Sequence, residues 1–105
     1  MKKLQQVKTA LLTVTDDTYH FAAPNNSEDY IVYSENSEGG SVEADNYKLE
    51  QSVSGLIYFY TKKENHPFVD EIQQALINSR ISFYLISVEY DSQTELIEYC
   101  WSFEV

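Results

Sequence analysis

The chain has little cysteine, glycine and proline: its 105 residues include one cysteine (Cys100), three glycines and two prolines. A single thiol excludes an internal disulfide, which fits a reducing compartment and excludes the disulfide-stapled class of small secreted domains. No GxGxxG or GxxxxGK(S/T) motif is present, so the two common glycine-rich phosphate loops are excluded. No apolar run approaches the roughly 20 residues that a membrane-spanning helix requires, and we expect no membrane partner.

Basic residues are also scarce, since seven Lys and Arg stand against 17 Asp and Glu and the formal net charge is −10. Nucleic-acid phosphates and anionic membranes repel such a chain, which argues against a nucleic-acid reader or a membrane-surface protein. The acidic residues are spread along the sequence, and the simplest interpretation is that they lie on solvated faces. The alternative, that some line a channel and repel passing DNA, stays open.

Apolar residues make up 43% of the chain and aromatic residues 14%, which is enough for a hydrophobic core. We expect one domain over residues 1–105, because two separate cores would each be too small. A domain of this size buries roughly 60–70% of the surface of its unfolded chain, so contacts between subunits would add to a thin margin of stability.

Two segments have helical spacing. In the first, the apolar residues that recur on one helix face are Leu4, Val7, Ala10, Leu11 and Val14. Asp16 and Asp17 end it, because carboxylates oppose the helix dipole at a C-terminus. In the second, the helically spaced residues are Phe68, Ile72, Ala75, Leu76 and Ser79. Asn65 is the predicted N-cap of this second helix, and residues 78–80 end it.

Other segments have strand character. The predicted strands, rich in β-branched or aromatic residues or alternating with a period of two, are residues 18–22, 29–34, 46–53, 56–60, 81–86 and 96–105. Gly55 predicts a bulge or a close backbone approach, and the apolar run 56–60 predicts a strand buried on both faces. Residues 35–41, with Gly39 and Gly40, predict an exposed loop. The expected fold is α+β, a mostly antiparallel sheet of about five to six strands packed with two helices, in the order α-β-β-β-α-β-β.

The clearest alternation lies in residues 96–105. One predicted face consists of Ile97, Tyr99, Trp101, Phe103 and Val105, and the other of Glu98, Cys100, Ser102 and Glu104. Residues 91–94 predict a turn, so we expect the last two strands to form an antiparallel hairpin with one solvent-exposed face.

Few residues could carry chemistry. His20 and His66 are the two histidines, and neither belongs to an HxH, HxxxH or HExxH pattern that would hold a metal. Negative charge from Glu98 would raise the pKa of Cys100, the opposite of what a nucleophilic thiol requires. Acidic residues fall mainly in turns and on predicted solvent faces, where pairs of carboxylates arise by chance. We therefore predict no catalytic residue, no metal site, no cofactor and no enzymatic activity.

Nine tyrosines are the remaining peculiarity of the composition. Tyrosine is a good strand former, so ordinary sheet composition is one explanation. The alternative is that some lie on a sheet face covered by a neighbouring subunit, where an aromatic ring supplies contact area and its hydroxyl reaches the rim. The candidate interface tyrosines are Tyr58, Tyr60 and Tyr84.

Three blocks of the sequence carry a resemblance to a known family. They are residues 55–62, the predicted helix over residues 69–77, and residues 96–105 with the pattern aromatic–x–Trp–x–Phe–Glu–Val. The tract 29–33, before an acidic loop with two glycines, also fits. In this order the blocks resemble the tail-terminator or tail-completion proteins of siphophages and prophages of Gram-positive bacteria, often labelled minor capsid or head–tail joining proteins. The similarity covers most of the chain in element order, and none of its motifs is catalytic.

The resemblance implies a virion subunit, made in the bacterial host cytoplasm, that assembles by self-association into a ring, commonly a hexamer, on the tail tube. Such a ring stops tube polymerisation, presents a surface to head-connector proteins and lets DNA pass as cargo without sequence-specific binding. The predicted loop over residues 35–45 is a candidate for contact with the tube or the connector. Its candidate residues are Glu35, Glu38 and Glu43.

Two other classes of function stay open on the sequence. A small acidic α+β domain can act as an inhibitor or immunity-type module that blocks a basic protein partner through charge complementarity. A small hydrolase or metal enzyme is the third class, and a metal found at His20 together with two carboxylates would support it.

Overall fold

The computed structural model describes residues 2–24, 28–37 and 52–105. The elements, in chain order, are α1 (Lys2–Leu12), β1 (Thr18–His20), β2 (Tyr30–Ser37), β3 (Ser54–Thr61), α2 (Phe68–Asn78), β4 (Ser82–Asp91) and β5 (Leu96–Glu104). The predicted α+β class and the predicted order α-β-β-β-α-β-β are both confirmed.

The five strands form one sheet in the order β1-β2-β3-β5-β4. The pairs β2–β3, β3–β5 and β5–β4 are antiparallel, whereas β1 runs parallel to β2. The prediction of a mostly antiparallel sheet of about five to six strands is therefore confirmed. β3 lies at the centre, and the two edges are unequal, because β1 has 3 residues and β4 has 10.

Both helices pack on one face of the sheet, which we call the helix face. α1 contacts α2, β1 and β2, and α2 also contacts β4. The buried helical residues are Leu4, Val7, Ala10, Leu11, Ile72, Ala75 and Leu76, and the strand residues in the same core are Ile31, Tyr33, Ile57, Phe59, Trp101 and Phe103. The apolar helix faces predicted from the sequence therefore form the core, with exceptions at their ends. Val14 lies beyond the end of α1 and only packs against the core, and Ser79 is exposed beyond the end of α2. The opposite side of the sheet, which we call the open face, carries neither helix.

The predicted N-cap of α2 is wrong. Asn65 has a left-handed backbone with φ 58° and precedes Pro67, the residue at the N-cap position. The ring Nδ1 of His66 instead accepts a hydrogen bond of 3.0 Å from the backbone N–H of Phe68. An imidazole thus satisfies one of the amides that the first turn of a helix leaves free. At the other end the helix stops at Asn78, as predicted.

The central strand β3 is buried on one face, whereas the sequence predicts burial on both. Its residues on the helix face are the buried Gly55, Ile57, Phe59 and Thr61, and its residues on the open face are the half-buried Leu56, Tyr58 and Tyr60. Neither α1 nor α2 covers the open face, and among the described residues the tyrosine rings give only partial cover there.

Gly55 is a point of close backbone approach, as predicted. A Cβ atom at this position would lie 2.8 Å from Cα of Glu35 and 2.9 Å from Cε2 of Phe103, and closer still to the carbonyl oxygen of Ser34. The register of β2 shifts between Glu35 and Ser37, next to the position that pairs with Gly55. The absence of a side chain therefore lets β2 and β3 stay paired through this irregularity.

The predicted exposed loop over residues 35–41 is wrong at its start, because β2 continues to Ser37. Glu35 pairs with Gly55 and its side chain is hydrogen-bonded, so it is a strand residue. Residues 38–41 lie outside the described residues, and so do residues 46–51 of the predicted strand 46–53.

Candidate functional site

β4 is an exposed edge strand. Within the described ranges it pairs only with β5, so its other side presents unpaired backbone groups. Five of its six large apolar side chains are exposed: Tyr84 66%, Leu85 45%, Ile86 50%, Val88 50% and Tyr90 63%. The sixth, Phe83, packs against the core. Edge strands of folded proteins are usually short, charged or covered. A strand of 10 residues that exposes five large apolar side chains at the sheet edge, beside the charged Glu89 and Asp91, is therefore a candidate association surface. We call these five residues the β4 edge.

The side chains of the β4 edge project to both sides of the sheet. Leu85 and Val88 lie opposite aromatic residues of β5 that face the helices, so both belong to the helix face, yet the helices leave them exposed. Tyr84 lies on the open face, and the register shift between Leu85 and Ser87 places Ile86 in a bulge. A partner that covers this edge would contact apolar surface from either side of the sheet.

Three tyrosines stack on the open face. The rings of Tyr30 and Tyr60, which are paired across β2 and β3, have centroids 4.8 Å apart at an interplanar angle of 22°. Tyr58 stacks on Tyr60 at 6.1 Å. The Tyr60 hydroxyl donates a hydrogen bond of 2.9 Å to Oε2 of Glu98. Burial first, and then the hydrogen bond and charge of Glu98, raise the pKa of Tyr60, so the phenol stays protonated and remains the donor.

A groove of about 580 Å³ lies between this stack and the tip of the β4–β5 hairpin. The rings of Tyr30 and Tyr60 form part of its wall, together with the carboxylates of Glu89, Asp91 and Glu98. We call it the acidic groove. Glu89 and Glu98 are directly paired across β4 and β5, an arrangement of like charges that destabilises a sheet unless a cation relieves it.

His20 and Glu35 form a pair that joins β1 to β2. His20 Nε2 lies 2.7 Å from Oε1 of Glu35, and the imidazole stacks on Tyr33 at a centroid distance of 4.9 Å. The hydrogen bond to His20 is the main reason why the pKa of Glu35 lies below its ordinary value of 4.5. In the described ranges, no group of three or more metal-ligating side chains occurs, at this pair or elsewhere.

Replacement of Glu35 by glutamine is expected to destabilise the protein at neutral pH and to have a smaller effect in acid. A carboxyl whose pKa falls on folding contributes stability above its unfolded pKa, and that contribution is lost as the pH falls through the folded value. The difference in urea midpoint between wild type and Glu35→Gln should therefore shrink as the pH falls from about 6 to about 3. Glu104→Gln, at an exposed position of β5, is the control, and a Glu35→Gln difference that stays constant with pH would contradict the pair.

His66, Asp29 and Thr61 meet near the start of α2. The Thr61 hydroxyl donates to Oδ1 of Asp29 at 2.6 Å, and Nε2 of His66 lies 3.6 Å from the same oxygen. Because Nδ1 of His66 accepts from the Phe68 amide, a neutral ring carries its proton on Nε2, toward Asp29. Thr61 bonds to Asp29 and not to the imidazole, so these three residues do not pair a nucleophile with a base. They join the end of β3 to the start of α2.

Cys100 is buried, although it alternates with the polar residues Glu98 and Ser102 along β5. Burial first, and then the charge of Glu98, raise the pKa of its thiol, which confirms the predicted direction. A raised pKa disfavours the thiolate, so the geometry gives Cys100 no activation as a nucleophile.

Over the described ranges, no helix has the length and apolar character needed to cross a bilayer.

The structure separates the predicted interface residues. Tyr58 and Tyr60 are half-buried in the tyrosine stack, and Tyr84 is exposed on β4. Glu35, on β2, is hydrogen-bonded to His20 of β1. Glu38 and Glu43 lie outside the described residues. Their role in an interface stays a prediction, and the structure brings only Tyr58 and Tyr60 together.

Four residues of the β4 edge are not among the interface residues predicted from the sequence, namely Leu85, Ile86, Val88 and Tyr90. The available signal was the unbroken apolar run over residues 83–86, followed by Val88. A strand in which polar residues do not alternate with apolar ones either is buried on both faces or leaves apolar residues exposed. Only the position of β4 at the end of the strand order decides between these two outcomes.

Comparison with known proteins gives no family. No protein-family model matches the chain, and no curated protein sequence matches it. Among solved structures, the chain is similar to one in a particle described as the virion of a native gene transfer agent, with 13% sequence identity and a TM-score of 0.49. The similarity covers 96% of this chain and 87% of that chain. A likeness of this size carries no conclusion about function, which therefore depends on the residues of this chain.

Proposed function

We propose that this chain is a virion structural subunit of the tail-terminator or head–tail joining kind, which acts by associating with further copies of itself in a ring. The observation that carries the proposal is the β4 edge, where unpaired backbone and exposed apolar side chains coincide. A second subunit that covers this edge would satisfy the backbone groups and bury the apolar surface in one contact.

The unequal edges of the sheet are compatible with a head-to-tail ring. A closed ring uses two different surfaces of each subunit in head-to-tail contact, whereas a two-fold dimer uses one surface twice. β4 offers a long apolar edge, and β1 at the other end offers 3 residues with His20 held by Glu35. The two ends of the subunit thus differ in length and chemistry, as a head-to-tail contact requires.

The net charge of −10 is compatible with the proposed role. DNA that passes through a ring must not adhere to it, and a negatively charged protein repels the phosphate backbone. The groups most suited to chemistry are occupied in structural contacts: Thr61 bonds to Asp29, and the Cys100 thiol is buried with a raised pKa. We therefore propose association, without reaction chemistry, as the mechanism.

Replacement of Leu85 by lysine is expected to weaken self-association by at least about tenfold, because a buried apolar contact would be exchanged for a charge that must lose its water. Sedimentation velocity over a concentration series measures the change. Leu12→Lys is the matched control, since it makes the same substitution at an exposed leucine, at the end of α1. Equal weakening in the two variants would show a general effect of charge and would contradict the role of β4.

Tail-tube capping tests the class of function. The tail-tube protein encoded in the same genome is polymerised with and without this chain, and the tubes are examined by electron microscopy. We expect tubes of arrested length with a ring of density at one end. Tubes of unchanged length with bare ends, at protein concentrations that saturate self-association, would contradict the proposal.

A further inference from the structure

The acidic groove combines an aromatic wall with concentrated negative charge. It lies at one end of the open face, on the opposite side of the sheet from Leu85 and Val88. In the described part of the chain, no lysine or arginine lines it. Lys62, which follows β3, is paired elsewhere, with its Nζ 3.7 Å from Oε2 of Glu28. The negative charge of the groove is therefore not balanced by the residues that form it.

The pairing of Glu89 with Glu98 concentrates this charge at one point. Residues directly opposite on antiparallel strands have Cβ atoms about 4.5–5.5 Å apart, and like charges at that position repel each other. The influence of Glu98 extends across the open face. Its charge contributes to the raised pKa values of Tyr30 and Tyr58, after the larger effect of burial and, for Tyr58, of Cys100. A bound cation would relieve the repulsion between the two carboxylates.

The tyrosine stack adds a flat aromatic surface and an oriented carboxylate. Tyr30 and Tyr60 stack with centroids 4.8 Å apart, and both rings line the groove. The hydrogen bond from Tyr60 to Oε2 of Glu98 holds that carboxylate beside the rings. A planar cation that lies on an aromatic ring and donates two hydrogen bonds to a carboxylate meets both features at once.

We propose that the acidic groove binds an arginine side chain presented by an exposed segment of a partner protein. The guanidinium group is planar, stacks on tyrosine, donates hydrogen bonds in pairs to carboxylates and loses its water more easily than an ammonium group. Its positive charge complements Glu89, Asp91 and Glu98. Tyr90 of the β4 edge also lines the groove, but Leu85 and Val88 lie on the other face of the sheet. The inference does not require the chain to form a ring.

The test is a titration of the isotope-labelled full chain with a pentapeptide, acetyl-Gly-Gly-Arg-Gly-Gly-amide, followed by two-dimensional NMR. We expect saturable shifts centred on Tyr30, Tyr60 and Glu98. Glu98→Gln should weaken binding about tenfold, as the loss of a charge-assisted hydrogen bond would. Glu104→Gln is the matched control, because it removes the same charge from the same strand and face near the other end of β5, and its effect should stay below about twofold.

Two further ligands test whether the groove recognises the charge and the guanidinium group of arginine. The same peptide with citrulline in place of arginine has a similar shape without the charge, and it should not bind. Calcium or magnesium chloride alone should not produce the same pattern of shifts. Repetition on the Leu85→Lys variant should leave peptide binding unchanged, which separates this site from the proposed self-association.

Several results would overturn the inference. They are equal weakening by Glu98→Gln and Glu104→Gln, equal binding of the citrulline peptide, and the absence of a saturable shift up to about 10 mM peptide. Shifts at the same residues with a divalent cation but not with the arginine peptide would show a metal site in its place.

Discussion

Replacement of Trp101 by alanine is expected to lower the free energy of unfolding by about 3–5 kcal/mol, because it leaves a large cavity in the core. The Trp101 side chain is fully buried, and it lies between Ile57 of β3 and Leu85 of β4 in the sheet register. Its indole N–H donates a hydrogen bond of 3.0 Å to Oε1 of Gln73 on α2, so the residue ties the sheet to the helix layer. A domain of this size has a total stability of about 5–15 kcal/mol, so the variant should be partly unfolded at 37 °C.

Urea unfolding followed by far-ultraviolet circular dichroism measures this loss, since Trp101 is the only tryptophan and its fluorescence disappears with it. Tyr84→Ala, measured in dilute protein where the β4 edge is uncovered, is the control for removal of a large aromatic side chain from an exposed position. Its effect should stay within about 0.5 kcal/mol. Gln73→Ala should cost about 1–3 kcal/mol, because it leaves the buried indole N–H without its acceptor. Similar losses for Trp101→Ala and Tyr84→Ala would contradict the assignment of the core.

Replacement of Gly55 by alanine is expected to destabilise the protein by about 3 kcal/mol, although the added group is a single methyl. Two of the three atoms that it would meet belong to the backbone of β2, at Ser34 and Glu35, and cannot move away by rotation of a side chain. The third belongs to Phe103, which is itself fully packed in the core. Either β2 separates from β3 here or the aromatic core shifts.

The sign of the change in stability shows whether alanine fits the backbone at position 55. Where alanine fits the backbone, a Gly→Ala change stabilises a protein by about 0.4–1 kcal/mol, because it restricts the unfolded chain. A stabilised Gly55→Ala variant would therefore contradict the close approach of β2 and β3. Ser54→Ala, at the neighbouring position of β3, is the local control and should have a small effect.

The order of elements and the core faces of both helices follow from local patterns. The spacing of Leu4, Val7 and Leu11 predicts which side of α1 is buried, and the alternation around Trp101 and Phe103 predicts the buried face of β5. These predictions succeed because each depends on residues that are close in sequence. The prediction of Asn65 as the N-cap of α2 fails because His66 Nδ1 accepts the amide hydrogen bond in place of the expected side-chain oxygen.

The candidate surfaces depend on pairings between distant residues, which local patterns do not contain. The β4 edge exists because β5 inserts between β3 and β4, so a strand that looks like any other apolar strand lies at the end of the sheet. The acidic groove exists because the β4–β5 register sets Glu89 against Glu98 and the β2–β3 register sets Tyr30 against Tyr60. A shift of either register by one residue would move these side chains to the other face.

Amide hydrogen exchange of β4 tests the central claim most directly. The exchange of peptides that cover residues 84–90 is measured in dilute protein and in the assembled particle, with peptides from α1 as the internal reference. If subunits associate through this edge, the outward-facing amides of β4 should exchange more slowly after assembly, while those of α1 should be unchanged. Assembly that leaves the exchange of β4 as it was in the dilute protein would contradict the account.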